Sequence, residues 1–235
     1  MAPSLPHSTS KSQYNWHSEQ MKNKVEVFSR FPYDDVQPLT GYQGLTFHQV
    51  VPPIGRSILL VGTHLPSKLR MSDQDQMLQC TALVRQIVEH EMRLDHSRTV
   101  VVGDFNMNPF EPGLVAASGF HAVSSRQTAQ RMARQVQGHS YKFFYNPMWS
   151  HFGEHIVEPP GTYYYDRSEN FNLFWNMFDQ VLIRPELLRE FRNETVKIVA
   201  TIGGKSLLSP NGQPDKRAGS DHLPILFALD LTEEL

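Results

Sequence analysis

The chain has a single cysteine, Cys80. That excludes an internal disulfide and a zinc site built on several thiolates, and it points to a reducing, cytoplasmic compartment. No apolar run reaches the roughly 20 residues that span a bilayer, so no transmembrane segment is expected. Charge of one sign is also missing: 22 Lys and Arg stand against 24 Asp and Glu, a formal net charge of −2. Such a balance provides no global field to draw the protein onto nucleic acid or an anionic membrane, although a local basic groove stays open. The first thirteen residues are polar and rich in Pro and Ser, without the apolar core of a signal peptide. Residues 1–20 are therefore expected to be a flexible segment ahead of one domain over residues 21–235. Neither an internal repeat nor a dividing linker interrupts that domain.

What is present is strand-rich. The stretch Thr99-Val100-Val101-Val102 is β-branched throughout and reads as a strand covered on both faces. It ends in Gly103-Asp104-Phe105-Asn106, and Asn108-Pro109 turns the chain away. Before it, Lys24–Ser29, Leu45–Val51 and Ser57–His64 read as strands, the last two as a hairpin through Pro52-Pro53-Ile54-Gly55. Ser72 with Asp75 three residues on reads as a capped helix start. The helix is predicted to run to Leu94 with Met77, Cys80, Val84, Ile87 and Val88 as its buried stripe. Short helices are predicted over 112–117 and 126–136. Further strands are predicted over 141–145, 161–165, 177–183, 195–201 and 223–231, with a long loop from Gly203 to Gly219. Many strands, few helices and a late C-terminal strand favour two packed mixed β-sheets flanked by helices.

Four places carry chemistry. Asp104 and Asn106 at a strand's carboxyl end can hold a hydrated hard cation and orient a water; the bland alternative is a local Asx-turn. His64 ends the neighbouring strand, and parallel strands bring their carboxyl ends to one edge, where α/β sites form. Lys68 and Arg70 follow it and add charge there or simply face water. Asp179 is an acid inside an apolar strand, Phe178 to Val181, and needs a partner. His222 is the natural one, since an acid fixes an imidazole's tautomer; a backbone amide or an arginine would also serve. Asp221 and His222 sit where the long loop meets the last strand. There they can hold a cation and move a proton, or merely form a turn capped by Ser220. The aromatics of 141–145, 163–165 and 171–178 are either core or a platform for stacking bases.

Taken together, Thr63-His64-Leu65, Gly103-Asp104-Phe105-Asn106, Asp179 in Phe178-Asp179-Gln180-Val181-Leu182, and Ser220-Asp221-His222-Leu223-Pro224 resemble the endonuclease/exonuclease/phosphatase superfamily, the DNase I-like fold. The resemblance runs from about Val25 to Leu231. It implies a four-layer α/β sandwich and a hydrolase that cleaves a phosphoester, possessing Mg²⁺ or Mn²⁺ as cofactor and a phosphoester, including nucleic acid, as substrate. It implies His222 as general base oriented by Asp179. Asp104 and Asn106 would position water and share the metal with Asp221, and His64 and Asn106 would contact the phosphate. Members usually begin with a strand ending in Asn, a helix, and a strand ending in a metal-binding Glu. No such unit is recognised here, because Asn15 and Glu19 lie too close together. The expectation is thus an N-terminally incomplete fold, with a partner or a fuller chain supplying the missing strands. The alternative to an enzyme is a catalytically impaired member of the same fold acting as a binding or assembly module.

Overall fold

The computed structural model describes residues 14–17, 25–68, 71–154 and 159–232. Its centre is a seven-stranded mixed sheet. In spatial order the strands are Val36–Tyr42, Leu45–Val50, Ile58–His64, Thr99–Asp104, Asp179–Ile183, Phe144–Tyr145 and Ala122–Val123. The strand ending at His64 pairs antiparallel with Leu45–Val50 and parallel with the strand ending at Asp104. The Asp179 strand then runs antiparallel beside Thr99–Asp104. The one long helix among the described residues, Asp73–Leu94, makes the crossover between the two parallel strands, as a parallel pair requires. Ser72 caps it by accepting the Asp75 amide at 3.2 Å.

The two faces of this sheet are apolar for different reasons. On one, Leu45, Phe47, Leu59, Val61, Val101 and Leu182 pack under Cys80, Leu83 and Ile87 of the helix. On the other, Val36, Val50, Ile58, Val100, Val181 and Ile183 meet Phe191, Val196 and Ile198. These belong to a second, two-stranded antiparallel sheet of Phe191–Ile198 and Ile225–Leu229. Each fully buried side chain of this size contributes roughly 1.5–3 kcal/mol, so both faces anchor the sheet. The α/β architecture of stacked sheets with a helix outside is the expected one. The described residues supply a helix layer, the large sheet and the small sheet.

Several local expectations are corrected. The helix buries Gln76, Leu83, His90 and Glu91 with Cys80 and Ile87, while Met77, Val84 and Val88 are half-buried. Its stripe is rotated because Glu91 reaches inward to Arg184, 2.7 Å away, whose guanidinium lies 3.8 Å over the Phe144 ring. The strand Val36–Tyr42 was not expected, because Pro38 sits within it; it lies at the sheet edge, where a missing donor is tolerated. The helix over 126–136 is only Arg126–Ala129, followed by a hairpin of Ala133–Val136 with His139–Lys142. Gln137 and Gly138 both have positive φ, 50° and 81°, the backbone of a two-residue hairpin turn that no helix accommodates. The strand expected over 195–201 is Phe191–Ile198, and the long loop begins with a small hairpin of Thr201–Ile202 and Lys205–Ser206. Within the segment expected to be flexible, Asn15–His17 pairs with Val27–Ser29. Residues 1–13 and 18–20 of that segment, Glu19 among them, lie outside the described residues, as do Lys24 at the head of the expected first strand and Arg70. No helix among the described residues is long and apolar enough to cross a membrane.

Candidate active site

Strand register assembles the site. His64 is the Cα partner of Asp104 across the parallel pair, and Asp104 is the partner of Asp179 across the antiparallel one. Three adjacent strands thus present an imidazole and two carboxylates at one level. Gly103 makes this possible. Its φ is 140°, and a Cβ there would stand 2.1 Å from the Thr63 carbonyl oxygen. Only glycine allows the backbone to approach this closely.

Beyond Asp104 the chain leaves the strand. Asn106 has φ 49°. Its backbone amide donates to Asp104 Oδ1 at 2.7 Å, and its side-chain amide donates to Asp104 Oδ2 at 2.9 Å and to the Leu65 carbonyl at 2.8 Å. The local Asx arrangement is therefore real, and it also aims both Asp104 oxygens. Asn106 follows its acid through this turn rather than through strand alternation.

His222 arrives from the far loop and binds Asp179: Nδ1 lies 2.7 Å from Oδ2. A carboxylate only accepts, so Nδ1–H donates and Nε2 is left as the basic nitrogen. Ser220 accepts the His222 amide at 3.1 Å and fixes the turn. The Tyr163 ring stacks on Phe178 at 5.3 Å and lies tilted against the His222 ring at 4.7 Å. His64 Nε2 stands 3.9 Å from Asp104 Oδ2. Asp104, Asp179 and His222 each offer a ligand atom, all within 4.8 Å of one another. Asp221 lines the same cavity but pairs with Lys216, 2.8 Å away. The cavity is open, about 1160 Å³ in volume, and His64, Asp104, Asn106, Asp179, Asp221 and His222 all contribute to its wall.

Other residues in this region were not anticipated. Thr162 is fully buried and is the hub of the site: its Oγ1 accepts the Phe178 and Asp179 amides, and its carbonyl accepts the Leu223 amide. It ties the Asp179 strand to the segment carrying His222. Asn108 donates to Glu111 and Asn176 and accepts the Met177 amide, stiffening another wall. Lys68, expected after His64 either to add charge there or to face water, lines the cavity and is held by Glu111 at 2.5 Å and Asp73 at 3.3 Å. The spacing Asn106-x-Asn108 was the one visible signal; Thr162 was hidden inside an aromatic run. Of the aromatic clusters, Phe143, Phe144 and Tyr145 are core, while Tyr163, Tyr165 and Phe171 line the cavity.

Electrostatics favour an added positive charge. Burial, and next to it the charge of Asp179, push the Asp104 carboxyl up to about 6. Burial opposes protonation of His222, but the Asp179 hydrogen bond and the surrounding carboxylates outweigh it and raise its pKa. Both folded-state values lie above the unfolded ones, so both groups contribute stability at low pH that is lost as pH rises. For Asp104 the contribution is complete below about 3.8 and gone once pH passes about 6. Metal-free protein is accordingly expected to melt lower at pH 7.5 than at pH 5 through this pair. Asp104→Asn should flatten that slope and raise Tm at pH 7.5 by about 2–4 °C, the shift that roughly 1 kcal/mol produces in a domain of this size. Scanning calorimetry across the pH range checks this; an unchanged slope counts against the charge crowding.

The profile of the Endonuclease/Exonuclease/phosphatase family matches residues 2–222. No curated protein matches the chain. Among solved structures, ANGEL2, described as a 2′,3′-cyclic phosphatase, superposes with a TM-score of 0.53 at 17% identity, over 94% of this chain and 74% of that one. Its complex with adenosine-2′,3′-vanadate gives 0.52, at the same identity and coverage. A functionally unknown conserved protein from Enterococcus faecalis V583 is 13% identical, with a TM-score of 0.44 over 92% of this chain, which spans 64% of that protein's length. With the matched profile covering nearly the whole length, the chain belongs to the endonuclease/exonuclease/phosphatase family.

Proposed function

We propose that the protein is a metal-assisted phosphoester hydrolase in which His222, oriented by Asp179, activates water. The observation that carries this reading is the 2.7 Å bond from His222 Nδ1 to Asp179 in a cavity wall shared with Asp104 and His64. Holding Nδ1 protonated leaves Nε2 free to take a proton from water as its oxygen bonds to phosphorus and the ester oxygen departs. Asp104 and Asn106 position that water, and His64 contacts a phosphate oxygen. Thr162 keeps the Asp179 strand and the His222 turn in step.

The residues fit a divalent cation. Asp104 is a half-buried carboxylate crowded by Asp179, and its raised pKa of about 6 is the cost that a neighbouring cation removes. Asp104, Asn106 and Asp221 would hold Mg²⁺ or Mn²⁺, hard ions that prefer such oxygen donors. When bound, the ion would neutralise charge on the phosphate.

The test is a parallel assay on simple phosphodiesters and monoesters, 2′,3′-cyclic nucleotides, RNA and DNA, with Mg²⁺ or Mn²⁺ and with chelator. The cyclic nucleotides are included because the superposed ANGEL2 is described as a 2′,3′-cyclic phosphatase. Turnover of at least one ester that stops with chelator is expected. Metal binding without turnover of any of them would instead favour the impaired, module-like reading.

A further inference from the structure

Asp221 is the one carboxylate of the proposed metal set that already has a cation on it. Lys216 Nζ stands 2.8 Å from Asp221 Oδ2. The loop that brings it there is built rather than loose. Asp215 accepts the Arg217 amide on its side chain and the Ala218 and Gly219 amides on its carbonyl, and its own amide donates to the Leu207 carbonyl. Leu208 and Pro214 form a bridge that closes the base of this turn. The root of Lys216 is thus fixed, while its side chain is 74% exposed and free to swing.

We propose that Lys216 is a positioning residue that competes with the divalent cation for Asp221. This inference rests on the metal-assisted reading above. Lys216 Nζ sits on Asp221 Oδ2, so a metal ion approaching this carboxylate meets the ammonium charge and binds at full strength only as the lysine moves off. The lysine stays tethered beside the site and returns when the metal goes. Its single charge keeps Asp221 compensated in the metal-free protein, whereas the more buried Asp104 and Asp179 have no lysine or arginine within ion-pair distance among the described residues. The consequence is a site tuned to weaker metal affinity than its donors alone would give.

The test is Mn²⁺ binding to the full chain, followed by the electron paramagnetic resonance of the free ion. Lys216→Met is expected to tighten binding about fivefold, the size of effect expected when a neighbouring charge is removed from a partly hydrated pair. Lys216→Arg, which keeps the charge, should stay within about twofold of wild type on the same argument. Lys205→Met, in the same loop but off the site, should change nothing. Saturable binding that is lost in Asp104→Asn yet unimproved in Lys216→Met would overturn the Lys216 inference alone. An equal gain in Lys205→Met would overturn it too, by reducing the effect to net charge. No saturable binding in wild type and Lys216→Met alike would overturn the metal reading itself, and this inference with it.

Discussion

Replacing His222 by alanine is expected to lower kcat on any phosphoester the protein turns over by about 10³-fold, within the 10²–10⁴ that a positioned general base supplies. KM should move far less, because in the proposed mechanism the phosphate contacts fall to His64 and Asn106 and not to His222. The pH profile makes the result specific. A base acts in its neutral form, and the pKa of His222 is raised by its Asp179 bond and the acids around it, against the pull of burial. Wild-type rate should therefore climb as pH rises through that value, and this limb should vanish in His222→Ala. Asp179→Asn is the companion variant. An amide in place of the carboxylate can donate to Nδ1, which favours the tautomer with its proton on Nε2 and spoils the base without removing it. A loss comparable to that of His222→Ala is expected, with folding verified by circular dichroism. Activity that survives both substitutions would remove the base from the mechanism.

Gly103→Ala is expected to be the most damaging substitution for the fold. An alanine at φ 140° is strained, and its methyl would sit 2.1 Å from the Thr63 carbonyl oxygen. That atom is backbone in a strand hydrogen-bonded on both sides, so it cannot give way cheaply. Backbone strain and clash together should cost about 3 kcal/mol or more. Because Gly103 opposes Thr63 and Asp104 opposes His64, any accommodation also separates the two site residues. Urea denaturation measures the effect; a variant unfolding within about 1 kcal/mol of wild type would show that the strand can relax.

Much of this was readable in the residues, and the limits have physical causes. The β-branched run before Asp104 and the capped helix from Ser72 announce themselves locally, because one strand buried on both faces and one helix cap each use a few consecutive residues. The lone acid Asp179 in an apolar strand called for a partner, and the structure supplies His222 from 43 positions away. The edge strand at Val36 was concealed by Pro38, and the hairpin after Ala129 by a Gln-Gly turn that carries little signature. Thr162 and Lys216 were unreadable for a deeper reason. A hub threonine looks like any other strand threonine, and a lysine reaching across a loop has no periodicity. The rotated helix stripe has the same origin: Glu91 is inward where Arg184, Thr99 and Lys142, all beyond the helix in sequence, meet its carboxylate.

The alignment of His64, Asp104 and Asp179 on neighbouring rungs has an evolutionary corollary. Their spacing is guaranteed by the hydrogen-bond ladder, not by the connecting loops, so insertions after Leu65, Asn108 or Tyr165 can remodel the cavity mouth without disturbing the chemistry. Losing a single residue within any of the three strands would shift its terminal side chain by about 3.3 Å and turn it toward the helix. Diversification in this lineage should therefore be concentrated in loop length and almost forbidden in strand length.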